Sequence, residues 1–102
     1  NNPLLHAEII AIDKACKKLG NWHLDECEMY VTLEPCTMCA GAMVNCRLGR
    51  LVYGCGDSRA GAAGSALDIT GFAGMLHRVP VTGGVLELEC SAQLRDFFRH
   101  RR

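Results

Sequence analysis

A chain of 102 residues has room for one domain with a modest core, and we read residues 1–102 as a single unit. Its 49% hydrophobic and 22% charged residues exclude a disordered or fibrous chain. Eleven basic side chains balance eleven acidic ones, so the overall charge does not announce a nucleic acid or a membrane as partner. The longest apolar run, 38–44, falls far short of the roughly 20 residues that span a bilayer. The start, Asn1-Asn2-Pro3-Leu4-Leu5-His6, has neither the basic segment nor the apolar stretch of a signal peptide. The seven cysteines are an odd number and cannot all pair within the chain. Together these features predict a reducing, cytoplasmic setting, with cysteines as metal ligands or core filler.

In chain order, residues 6–19 are expected to form a helix. Ile9, Ile12, Cys16 and Leu19 recur at helical spacing, the charged residues face elsewhere, and Gly20 sits where helices end. The run 29–34 (MYVTLE) reads as a buried strand, which Pro35 ends. Residues 36–47 are small and apolar nearly all round, which suits a central helix packed between layers. A second strand is expected over 50–54, followed by a glycine-rich loop to residue 65 and a short helical turn over 66–70. A weaker third strand over 78–81 is confined by Pro80 to an edge or an end. After Gly83-Gly84, the stripe Leu86, Cys90, Leu94, Phe97, Phe98 marks an amphipathic C-terminal helix. This alternation implies an α/β fold, a mostly parallel sheet with helices on both faces. Cys16, Cys46, Cys55 and Cys90 read as core filler, and Cys27 as an exposed residue of a polar stretch.

Three residues carry the chemistry: His6, Cys36 and Cys39. Pro35-Cys36-Thr37-Met38-Cys39 sets two thiols three apart at a strand-to-helix junction, where the positive helix end favours thiolate. A lone C-x-x-C could equally be a redox pair. His6-Ala7-Glu8 shifts the balance, because in this layout both helix starts lie at one edge of the sheet. One imidazole and two thiolates give Zn2+ three protein ligands and leave a fourth position for water, the arrangement of a catalytic site. Glu8, two residues beyond the histidine, is positioned to shuttle protons. H-x-E followed by P-C-x-x-C is the established signature of zinc-dependent base deaminases. The bland alternative is a buried histidine, a surface glutamate and two core cysteines.

Beyond the signature, the sequence resembles the bacterial tRNA-specific adenosine deaminases, a branch of the cytidine-deaminase-like superfamily. The resemblance runs through His6-Ala7-Glu8-Ile9 and the block from Tyr30 to Met43 (YVTLEPCTMCAGAM). It continues in Gly54, Asp57, Gly61-Ala62-Ala63-Gly64-Ser65, His77-Arg78 and Asp96-Phe97-Phe98. It implies a three-layer α/β/α fold, zinc on His6, Cys36 and Cys39, and Glu8 as general acid and base. It further implies deamination of adenosine to inosine at the wobble position of a tRNA anticodon loop, by a homodimer. Members of that family usually carry a leading helix and a β-hairpin ahead of the His-Ala-Glu motif. The chain is therefore expected to be N-terminally shortened, with a three-stranded sheet, an exposed edge and a pocket lacking one wall.

For RNA contacts the residues leave two readings each. Residues 95–102 hold four arginines and one acid, so Arg99 and Arg101 suit either a phosphate contact or a solvated helix end. Phe98 either continues the apolar stripe or lies near a bound loop. Asp57 and Arg59, on the glycine-rich loop, stand beside a nucleotide or on a plain connection. His77 and Arg78 are candidates through the resemblance alone. Two other functions compete: a zinc deaminase of cytosine, guanine or a free nucleotide, and an inactive zinc-stabilised RNA-binding fragment.

Overall fold

The computed structural model describes residues 6–75 and 77–100, the side chains of 97–100 excepted. Its elements follow the order α1 (Ala7–Leu19), β1 (Glu28–Leu33), α2 (Thr37–Asn45), β2 (Arg50–Cys55), β3 (Val81–Thr82) and α3 (Glu87–His100). The three strands lie in the order β1-β2-β3 and all pair in parallel, with Glu28 opposite Arg50, Leu33 opposite Cys55, and Leu51 opposite Val81. A parallel sheet needs helical crossovers that cover its faces, and α2 is the crossover between β1 and β2.

Side-chain alternation along the strands distributes the helices. Met29, Val31 and Leu51 point to the face where Cys39, Met43 and Val44 of α2 form the core with Leu24, Leu48 and Val79. Against this cluster α1 lays Ile9, Ile12, Ala15 and Cys16, yet none of its residues is fully buried. On the opposite face α3 packs on β2 and β1, and a side chain at Gly54 would collide with Cys90. Gly20 closes α1 in the left-handed conformation (φ 64°), its N–H donating to the carbonyl of Cys16.

Four local expectations are corrected. No helical turn forms over 66–70, because the backbone there bonds back to residues 62 and 63 instead: Ile69 N–H donates to Ala62, and Ala63 bridges Asp68. The third strand starts later than expected and is shorter, since the Val79 amide donates to Thr70 and Pro80 has no N–H to offer. Only the carbonyl of Pro80 joins β2, accepting from Leu51. Leu86 does not belong to the apolar stripe of α3; it precedes the helix at φ 53° and is exposed. Cys27 is half-buried against the core, its N–H donating to Leu24. Cys46 and Cys55 are buried as core filler, and all seven cysteines are free. Among the described strands β1 and β3 are the outer ones, so the expected three-stranded sheet has one edge along 28–33.

Candidate metal centre and the cleft beside it

Parallel topology brings the starts of α1 and α2 to the edge where β1 ends. His6 immediately precedes α1 in an extended conformation and makes no side-chain cap, so its ring turns away from its own helix toward α2. Cys36 stands at the equivalent position ahead of α2, and Cys39 follows in the first turn, fully buried. His6 Nδ1 lies 3.3 Å from Cys39 Sγ and 3.6 Å from Cys36 Sγ. All three donor atoms fall within 4.8 Å of one another.

These residues fit a tetrahedral zinc ion. Ligand distances of about 2.3 Å to sulfur and about 2.0 Å to nitrogen require the two kinds of donor to stand about 3.5 Å apart, as they do here. The donor chemistry agrees. The Cys39 thiol is pushed up to about 12 by burial, then by the nearby charges of Glu8 and Cys36. A divalent cation at the shared point reverses that penalty and favours thiolate. Such a set, with three protein donors among the described residues, leaves room for a non-protein ligand.

Glu8 lies in the first turn of α1, half-buried, and after burial its charge is one of the causes that raise the Cys39 thiol. It lines a cleft of about 550 Å³ together with His6, Cys36, Thr32, Leu33 and Asp57. Because the consecutive β1 residues 30–33 all face this space, the cleft follows the outer edge of the sheet. Asp57 lines it as well; its Oδ1 accepts the N–H groups of Arg59 (3.0 Å) and Ala60 (3.1 Å), a side-chain-capped turn.

The structure thus brings His6, Glu8, Cys36 and Asp57 around one cleft, with Cys39 buried next to His6 and Cys36. Arg59 is exposed on the adjoining turn. His77 and Arg78 are elsewhere. They precede β3, at the opposite end of the parallel strands, where His77 Nε2 donates to the Leu48 carbonyl (3.0 Å) and helps line a separate cleft with Trp22 and Arg47. The side chains of Phe98 and Arg99, and all of Arg101, lie outside the described residues.

Sequence reasoning treats Glu34 as no more than the end of a strand, and the structure gives it a larger part. Only 3% exposed, its carboxylate accepts backbone N–H groups from Asp57, Ala63 and Ser65. Burial pushes this carboxyl up, but the Ser65 hydroxyl and those three amides outweigh it and hold it below the usual range. An acid between an apolar strand and a proline, with a glycine-rich loop to follow, was the available signal.

A deaminase family model, described as MafB19-like deaminase, matches residues 1–102. The chain belongs to that family. It has a cytidine-deaminase-like α/β architecture, with parallel strands and helices on both faces. The chain is 44% identical to a tRNA-specific adenosine deaminase of Bacillus subtilis, covering 97% of this chain and 62% of that one. It is 47% identical to one of Haemophilus influenzae, over 100% of this chain and 59% of the relative. The chain therefore spans about three fifths of the length of these two curated relatives. A solved structure from a study of A-to-I editing by tRNA:A34 deaminases superposes with a TM-score of 0.84 and 40% identity, covering 90% of this chain and 67% of that one. A guanine deaminase of Nitrosomonas europaea follows at 0.75 and 26% identity, covering 93% of this chain and 57% of that one.

Proposed function

We propose that this chain carries the zinc centre of a hydrolytic deaminase that converts adenosine to inosine at the wobble position of a tRNA anticodon, releasing ammonia. One observation carries the reading: three metal-donor atoms converge, and two of the residues that supply them, His6 and Cys36, line a cleft together with Glu8. Kinship with tRNA-specific adenosine deaminases supports the choice of substrate. Zinc held by His6, Cys36 and Cys39 would supply the Lewis acidity that makes water nucleophilic near neutral pH. Glu8 takes a proton from the attacking water and returns protons to the adenine ring nitrogen and the departing amine. Water and adenosine thus become inosine and ammonia. An adenine in an RNA loop is already unpaired and can be splayed into the cleft at smaller cost than a base in a duplex.

Asp57 and Arg59, on the loop beside the cleft, are the proposed contacts to the flanking nucleotides, and Phe98, Arg99 and Arg101 those to the phosphate backbone or bases. His77 and Arg78 begin at the other end of the strands, so they would meet the same RNA from a second subunit, in keeping with a homodimer. No described helix is long and apolar enough to cross a membrane, and the proposed setting is the cytoplasm, where tRNA is found.

The test is mass spectrometry of an anticodon stem-loop after incubation with the zinc-loaded chain. Inosine at the wobble position is the expected outcome. Conversion of free nucleosides alone would favour the second reading, deamination of another base, to which the guanine deaminase neighbour lends support. A chain that retains zinc and binds RNA without any turnover would be a zinc-stabilised binding fragment.

A further inference from the structure

We propose that Glu34 is a positioning residue for this reaction: its buried carboxylate holds the segment 56–65 in place as a wall of the substrate cleft. The proposal rests on the deaminase reading above. Glu34 follows β1 and stands two residues before the metal ligand Cys36. A buried carboxylate is costly unless its oxygens are satisfied, and among the described residues no arginine or lysine forms an ion pair with it. Oε1 instead accepts the Asp57 N–H at 2.9 Å, and Oε2 those of Ala63 (2.9 Å) and Ser65 (3.0 Å).

The segment is shaped to fit that carboxylate. A side chain at Gly61 would collide with Oε1, and one at Gly56 would stand 3.3 Å from it. Next to Glu34, the Pro35 carbonyl accepts the Ala62 N–H at 2.8 Å. Two adjacent residues therefore tie the loop to the strand end that delivers Cys36. Asp57 lines the same cleft as Glu8 and Cys36, so one carboxylate sets the spacing between the candidate ligand Cys36 and the wall that Asp57 forms. Glu34 itself borders the cleft, but its carboxylate oxygens are taken up by these backbone amides, so it acts by holding the loop that carries Asp57.

Replacing one acceptor oxygen by an amide tests this. In Glu34→Gln the NH2 group cannot accept, so at least one of the three amides loses its partner. Zinc content is expected to stay the same and exchange at the amides of 57, 63 and 65 to accelerate. KM for an anticodon stem-loop should rise roughly tenfold with kcat changed by less than about threefold, the scale of one lost charged hydrogen bond. Ser65→Ala, a milder change at an exposed residue, should move KM the same way by a smaller factor. In parallel, stem-loop binding is measured by anisotropy in a Glu8→Ala background, which needs no turnover. If the parent binds but turns nothing over, the reaction reading falls while the Kd comparison still judges Glu34. Unchanged KM and Kd in both variants would overturn the proposal, as would a loss of activity that merely tracks loss of zinc.

Discussion

His6 Nδ1 and Cys39 Sγ approach to 3.3 Å although 33 positions separate them in the chain. That approach joins the start of α1 to the start of α2, so the donors of the metal centre also span two separate elements of the fold. His6→Ala or Cys39→Ser is expected to weaken zinc binding by at least roughly a hundredfold, more than the loss of an outer-shell partner does. Competition with a chromophoric chelator measures it. Binding deprotonates the thiols, so the affinity of the parent should rise with pH through the neutral range.

Glu8 lines the cleft without being one of the three donors, and metal binding and turnover should therefore separate at this residue. Glu8→Gln is predicted to keep its zinc while inosine formation falls by roughly 10²–10⁴-fold, the usual contribution of a general acid–base group. Metal analysis beside a single-turnover assay checks both halves; undiminished turnover would remove Glu8 from the mechanism.

Met43 is fully buried one turn beyond Cys39 on α2, at the centre of the core. Met43→Ala should cost about 2–5 kcal/mol, because the removed volume leaves a cavity that its neighbours fill only in part. Urea denaturation of the zinc-loaded protein gives the value, and a cost under about 0.5 kcal/mol, typical of surface changes, would mean that α2 is not the keystone of this core.

On the other face of the sheet, Gly54 allows α3 to approach β2. A methyl group there would collide with Cys90 Sγ and come within 2.8 Å of the Thr32 carbonyl oxygen. Gly54→Ala is predicted to destabilise the fold by about 1–3 kcal/mol, as overpacking does. Retained zinc stoichiometry in the folded variant would localise the damage to the α3 face.

The metal donors were legible because their signal is local. C-x-x-C at a strand–helix junction and H-x-E at a helix start fix side-chain directions within one turn, and parallel topology does the rest. The role of Glu34 was not legible in this way, since its partners lie 23 to 31 positions further on and exist only once the loop has wrapped around it. Residues 78–81 carry strand-like composition, but Thr70 captures the Val79 amide and the pairing begins two residues later, a tertiary bond overriding propensity. Leu86 fits the apolar period of α3, yet its positive φ sets it outside the helix, which periodicity cannot register. His77 and Arg78 were drawn in by resemblance alone, and parallel pairing sets them at the far end of the sheet.

The shallow seating of α1 has a consequence for how the protein comes apart. With no fully buried residue, the helix rests on a few half-buried side chains and on whatever His6 holds. Its local opening free energy should lie well below that of the β1–α2–β2 core. A chelator would then act as an unlocking agent: α1 swings free first, and a protease meets a cleavable N-terminal segment while the sheet behind it is still intact.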